Sequence, residues 1–213
     1  MLSVWDAIQQ RRSIRKFKPD PLPEGTIAQL LEAARLAPSG SNRQPWRFLV
    51  ATDAEEKRQL REICMGQAFV EEAPVVFVCC ADLKAYSQAS RKARSQEFED
   101  YGVLQTLSGE VREPAYRARQ VSQPDSDRET TLRSAVPNVY IAVEHIVLMA
   151  SALGLGSCWI GAITDVRDIS RLFGLPEHIV PVVVLPVGYA AVAPGQRPRL
   201  KMDEILLRPA DGT

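Results

Sequence analysis

The stretch Ala37-Pro38-Ser39-Gly40-Ser41-Asn42-Arg43-Gln44-Pro45-Trp46-Arg47-Phe48 leaves an apolar helical pattern, crosses a polar loop and enters a strand pattern. Ten of its twelve residues are small, polar, proline or arginine, so core packing does not explain them. The amides of Asn42 and Gln44 both donate and accept, which suits the edge of a heterocycle or a chain of hydroxyls. A turn held by Asn and Ser side chains is the plain alternative. We read the loop as one wall of a cofactor site.

Upstream, Pro23-Glu24 opens a helix whose buried stripe is Ile27, Leu30, Leu31, Ala34 and Ala37. Before it, Ser3-Val4-Trp5-Asp6 has the form of a capping box and starts a short helix to about Gln10. Arg11-Arg12-Ser13-Ile14-Arg15-Lys16-Phe17 follows, and Pro19 and Pro21 stop any helix there. If this segment is extended, Arg11, Ser13, Arg15 and Phe17 share one side, and Arg12, Ile14 and Lys16 the other. Guanidinium groups fit phosphate through a bidentate fork, so the cluster is a candidate anion site and a second wall. Arg197 and Arg199, either side of Pro198, form a similar late cluster. For each cluster the alternative is a solvated basic face.

Downstream, Trp46–Ala51 reads as a strand, Asp53 as the cap of a helix to about Cys64, and the apolar run Pro74–Ala81 as a central buried strand. From Asp82 to Ser134 the pattern weakens: Lys84–Tyr101 is compatible with a helix, and Gln120–Thr131 reads as a loop. Asn138–Leu153 is apolar nearly all round, which predicts a helix buried on most sides and ended by Gly154 and Gly156. Ser157–Ile163 reads as a short strand, Asp165–Phe173 as a small helix, Ile179–Tyr189 as another buried strand, and Asp203–Leu207 as a short terminal helix. Gly161, in Trp159-Ile160-Gly161-Ala162, marks a place where backbone approaches a ligand, or a simple bend. Helices and strands mix without a βαβ rhythm, and no G-x-G-x-x-G follows a strand. We expect an α+β fold rather than a doubly wound sheet.

The chain has 213 residues, 46% of them hydrophobic, enough to bury a sizeable core in a single domain over 1–213. Lys+Arg and Asp+Glu both number 26, so net charge gives no reason to expect nucleic acid or a membrane surface as partner. Four scattered cysteines without C-x-x-C spacing suggest neither zinc nor a redox pair and fit a reducing, cytoplasmic setting. The two histidines, His145 and His178, stand apart, and His145 reads as a satisfied core residue. No nucleophilic or metal constellation appears, so a cofactor is expected to carry the chemistry.

The motifs so far, with Ala73-Pro74-Val75-Val76, Leu153-Gly154-Leu155-Gly156-Ser157-Cys158-Trp159-Ile160-Gly161 and Arg197-Pro198-Arg199, occur in an order and spacing that resembles the nitroreductase family of FMN-dependent oxidoreductases. The resemblance covers nearly the whole chain except Asp82–Ser134. It implies an α+β fold with a central mixed, mostly antiparallel sheet flanked by helices, and an intertwined homodimer with FMN at the interface. It further implies a variable lid at about 82–134 and a C-terminal arm from about 190 that embraces the partner. On this resemblance Arg11, Arg197 and Arg199 would hold the FMN phosphate, and Arg12 and Ser13 would contact phosphate or ribityl. Arg15 would sit near flavin N1 and O2, Ser39, Ser41 and Asn42 would reach the partner's flavin, and Gly161 with Ile160 and Ala162 would place N–H near N5. Gln67 is a further candidate for the polar edge of the ring. The implied reaction is ping-pong hydride transfer from NAD(P)H through FMN to a nitroaromatic, quinone or similar small acceptor. Dehalogenation, azoline oxidation, flavin fragmentation and a non-catalytic flavin-binding module are the alternatives.

Overall fold

Eight consecutive buried residues, Val75–Asp82, form the central strand β2. The structure, a computed structural model, describes residues 2–192 and 194–207. In chain order, β1 is Trp46–Ala51, β3 is Gly156–Ser157 and β4 is Ile179–Gly188. The sheet runs β1-β2-β4-β3, with every named pair antiparallel. The parallel component of the expected mixed sheet is a single bridge, Ser13 to Ser157, from the arginine-rich segment. At Cys79/Cys80 the β2–β4 register shifts: Cys79 faces Val183 and Cys80 faces Pro181, so Val182 is the extra residue. A proline has no N–H for the ladder, and a bulge accommodates it.

The helices are α1 (Val4–Gln10), α2 (Thr26–Arg35), α3 (Ala54–Ile63), α4 (Phe69–Glu72), α5 (Gln88–Asp100), α6 (Pro114–Ser122), α7 (Arg128–Ala152), α8 (Val166–Leu172) and α9 (Met202–Ile205). Strand alternation sorts the core into two layers. Val75, Phe77, Cys79, Val183 and Leu185 pack with Leu30 and Ala34 of α2 and Val139, Val143 and Ile146 of α7. Val76, Val78, Cys80 and Val184 pack on the other face with Leu60 of α3, Val70 of α4 and Ile169 of α8. Helices thus cover both faces of an antiparallel sheet, the expected α+β arrangement.

Several boundaries depart from expectation. Helix α7 starts at Arg128, ten residues before Asn138, because Asp127 caps it, Oδ1 accepting from the Thr130 N–H at 2.9 Å. Its first three residues, Arg128, Glu129 and Thr130, are exposed and need no apolar character, so Gln120–Thr131 is not one loop: α6 runs to Ser122 and α7 begins at Arg128. Ser157–Ile163 is not a continuous strand either. It pairs at Gly156 and Ser157, and again in a bridge from Ile160 to Val184. Helix α7 is long and apolar enough to cross a membrane by length and composition, but here it packs in the core.

Candidate active site

Arg11 ends α1: its φ of −52° and ψ of 130° turn the chain out of the helix while its N–H donates to the Ala7 carbonyl at 2.9 Å. Arg12 is used locally, Nη1 donating to the carbonyls of Gln9 at 2.6 Å and Arg11 at 2.8 Å. The chain then crosses the edge of the sheet. Ile14 N–H donates to the Ser157 carbonyl at 2.9 Å, and Lys18 N–H to the Tyr189 carbonyl at 2.9 Å. The segment pairs parallel at Ser13 and antiparallel at Phe17, so it twists between two partners. Simple alternation therefore fails: Ile14 and Phe17, expected on opposite sides, are both buried, whereas Arg15 and Lys16 are exposed.

Two glycines make room for this docking. A Cβ on Gly156 would lie 2.9 Å from Ile14 Cβ, and one on Gly188 would lie 3.1 Å from Phe17 Cδ1. Gly154, with φ of 75°, does end α7 as expected, while Gly156 serves the Ile14 contact instead. A cavity of about 180 Å³ lies beside the segment, lined by Arg11, Arg12, Ile14, Ser151, Gly156 and Ser157.

Beyond Ser157 the chain stays on β4 through Cys158 N–H to Pro186 O (3.3 Å) and Ile160 N–H to Val184 O (3.0 Å). It then leaves the sheet. Ile160 is buried, but Gly161 and Ala162 are exposed, and a Cβ on Gly161 would meet nothing within 4 Å. The Gly161 N–H has no protein acceptor among the described residues. An unspent N–H beside open space is a free donor for a ligand acceptor.

The charges of Arg11 and Arg15 reach the same neighbourhood. Burial pushes the Cys158 thiol up, and both arginines pull against it. Burial also raises the carboxyl of Glu144 on α7, against the charge of Arg11, the Trp159 indole and His145. Trp159 meets Tyr140 edge-on, ring centroids 5.4 Å apart. In the sequence Glu144 interrupts the apolar run Val139–Leu155. That interruption was the available signal, since a carboxylate on a buried helix needs a partner. His145 is satisfied as expected, Nδ1 lying 3.1 Å from the Ala33 carbonyl.

The Ser39–Gln44 loop holds an unusual conformation. Ser41, Asn42 and Gln44 have φ of 51°, 51° and 47°, and none is glycine. Such residues cost about 1 kcal/mol or more each and persist where the surroundings fix them. Here Gly40 N–H donates to Asn138 Oδ1 (2.9 Å), Gln44 N–H to Ser39 Oγ (2.9 Å), and Asn42 Nδ2 to Glu97 Oε2 (3.1 Å). Ser41 and Asn42 stay exposed and Ser39 half-buried.

The loop and the arginine segment occupy different parts of α7. The loop is tied to Asn138, whereas α1 is tied to Ser151, whose Oγ donates to the Ala7 carbonyl at 3.1 Å. That interval is about 20 Å along an α-helix and about 140° around it. The two candidate walls of one chain therefore do not face each other directly.

The remaining candidates sit apart. Gln67 Nε2 donates to the Cys64 carbonyl at 2.9 Å, closing the turn after α3. Arg197 and Arg199 lie on an exposed tail, where Arg199 Nη1 bonds the carbonyls of Arg197 and Pro198 at 3.3 and 3.1 Å. Among the described residues, no group of three or more His, Cys, Asp or Glu could hold a metal ion.

With this geometry in hand, residues 8–189 match the model of the Nitroreductase family, and the chain belongs to that family. It is 37% identical over 207 residues to an NADH dehydrogenase of Thermus thermophilus, covering 97% of this chain and 96% of that one. It is 27% identical to an FMN reductase [NAD(P)H] of Bacillus subtilis, covering 96% of this chain and 73% of the relative. Among solved structures, a candidate nitroreductase from Exiguobacterium sibiricum in complex with FMN superposes with a TM-score of 0.78 at 27% identity, covering 97% of both chains.

Proposed function

We propose that this chain is an NAD(P)H-dependent FMN oxidoreductase that works as a homodimer, one nitroreductase-like domain per chain. It would pass reducing equivalents to a nitroaromatic, quinone or similar small acceptor. The carrying observation is the Arg11–Lys18 segment docked on Ser157, with the charges of Arg11 and Arg15 felt at Cys158, and the free N–H of Gly161 four residues beyond Ser157 next to open space. That donor set suits a phosphorylated, planar, electron-accepting group.

When bound, FMN would supply the hydride chemistry between NAD(P)H and the acceptor. Arg11 binds the phosphate, joined by Ser13 and by Arg197 and Arg199 of the C-terminal arm. Arg12 fixes the end of α1 and so the direction in which Arg11 leaves it. Arg15 places a cation where negative charge accumulates on the ring's N1–C2=O side. Gly161, flanked by Ile160 and Ala162, offers backbone N–H at N5. Gln67, bonded to its own turn, lies at the margin of this set.

Ser39, Ser41 and Asn42 serve the site of the partner subunit. The separation of Asn138 from Ser151 along α7 supports this reading, as does apolar surface left open on the single chain at Trp5, Leu36, Tyr140 and Ile141. The lid at about 82–134 shapes the acceptor pocket, and the arm from about 190 wraps the partner.

The test is anaerobic stopped-flow. The purified protein is expected to be yellow and to bleach on mixing with NADH or NADPH, then to recolour with a nitroarene or quinone. Flavin that stays oxidised with both donors would overturn the reading.

A further inference from the structure

A second cavity, of about 210 Å³, is built between the Ser39–Gln44 loop, α5 and α6. Arg43, Arg91, Arg94 and Arg117 form its polar wall, and no Asp or Glu lines it. Phe98 and Tyr116 contribute flat, partly buried rings.

The charges around it do not balance. Arg91 pairs with Asp125 at 3.0 Å, Arg94 with Glu97 at 2.5 Å and Arg117 with Glu99 at 3.0 Å. Arg43 has no carboxylate within ion-pair distance among the described residues. It donates to the Ala85 carbonyl at 3.3 Å and lies over the Tyr86 ring, 4.9 Å from its centroid. Burial lowers the Arg43 pKa, Tyr86 opposes that, and the charge of Arg91 adds to it. One unmatched cation and a wall free of carboxylates form an incomplete set. An oxyanion would complete it, since guanidinium groups meet such oxygens through short charge-assisted bonds.

We propose that this cavity binds the acid group, carboxylate or phosphate, of a small aromatic molecule. Arg43 supplies the unmatched charge, Arg94 and Arg117 flank the oxyanion, and Phe98 and Tyr116 take the planar body. The catalytic meaning rests on the reading above: Ser41 lines this cavity and belongs to the loop assigned to the partner's flavin. An anion held here stands beside the redox centre. Its acid group comes either from the acceptor or from the phosphorylated end of the donor nucleotide.

Calorimetric titration of the protein as purified, with its flavin absorbance recorded, separates these cases. The probes are benzoate and adenosine 2′,5′-bisphosphate, each against its neutral counterpart, benzyl alcohol and adenosine. At least one anion is expected to bind at one site per chain while its counterpart does not. Arg43→Gln and Arg117→Gln should each weaken it about tenfold, the usual scale for a lost charged hydrogen bond. Binding of benzoate assigns the pocket to an acidic acceptor, and binding of the bisphosphate alone assigns it to the donor. The proposal is overturned if neither anion binds better than its neutral counterpart, a comparison that needs only the wild-type protein. It is equally overturned if both variants bind as wild type does. Flavin absorbance of the same samples is a separate readout. Colourless protein that binds benzoate through Arg117 keeps the pocket and removes the flavin reading, whereas yellow protein that binds neither anion does the reverse.

Discussion

Ile14 occupies the space that a side chain on Gly156 would need: a Cβ there would lie 2.9 Å from Ile14 Cβ and 3.3 Å from its Cγ2. The Ile14 N–H also donates to the carbonyl of the next residue, Ser157, at 2.9 Å. Packing and hydrogen bonding thus fix one point of the arginine segment on the sheet edge. Gly156→Ala is expected to push Ile14 outward and to destabilise the fold by about 1–3 kcal/mol, the range for an overpacked core. Because Arg15 follows Ile14 directly, flavin content should fall with it. Urea unfolding and the ratio of flavin to protein absorbance check both. A variant as stable and as yellow as wild type would show that the segment is not held by this contact.

Arg15 is exposed and makes no hydrogen bond to protein among the described residues, so its removal should leave the fold intact. Arg15→Ala is expected to slow flavin reduction by about tenfold or more, because a fixed cation lowers the energy of charge developing beside it. The measurement is the anaerobic bleaching rate, alongside flavin content and the thermal midpoint. Unchanged content together with an unchanged rate takes Arg15 out of the mechanism.

Glu144 sets a pH dependence. Burial raises its carboxyl above the ordinary 4.5, opposed by Arg11, the Trp159 indole and His145. Above pH 4.5 and up to the raised native value, the folded protein holds this proton more often than the unfolded chain does. Stability therefore falls as pH rises through that window, and the penalty then stays constant. Glu144→Gln should flatten the fall, and Arg11→Gln should steepen it by removing the nearby cation. Thermal unfolding at a series of pH values, taken as wild-type minus variant, isolates this group from Glu55 and Asp165. Their carboxyls, held down to about 2 mainly by hydrogen bonds from Arg58 and Arg167, act at lower pH. An identical slope in Glu144→Gln and wild type would contradict the assignment.

The parts legible in the sequence were those written in local backbone chemistry. Pro38 and Gly40 announce the loop, and the apolar run Pro74–Ala81 announces the central strand. Arg11–Phe17 announces an extended basic segment. What stayed hidden depends on contacts between distant residues. Gly156 looked like a helix terminator, yet its lack of a side chain serves Ile14, more than a hundred positions away. Asn138 looked like the first residue of a helix. It lies instead in the middle of α7, tying Gly40 N–H to the hydroxyl of Tyr86 and the carbonyl of Ser134. The excursion was hard to read because α5 and α6 contain no buried residue. Without a core-facing stripe, helical periodicity leaves little trace.

Helix α7 is apolar on more sides than one chain buries. Tyr140 and Ile141 remain 43% and 40% exposed on a helix whose neighbours Val139, Ala142 and Val143 are fully buried. Large apolar side chains next to a buried stripe mark a surface that another protein chain covers. If that chain is a second copy, the Ser39–Asn42 loop brought by the partner completes a cofactor site that one chain cannot close. Ile141→Glu puts a charge into this surface without touching the internal core. It is expected to shift the protein toward monomer in size-exclusion chromatography with light scattering, with the thermal midpoint of the separated monomer measured directly. Flavin should be lost in proportion to the monomer formed, because the loop tied to Asn138 and the helix α1 tied to Ser151, from which the arginine segment leaves, are anchored about 20 Å apart along α7 of one chain. Monomer that keeps its full flavin content would mean that a single chain builds the whole site, and would remove the partner from it.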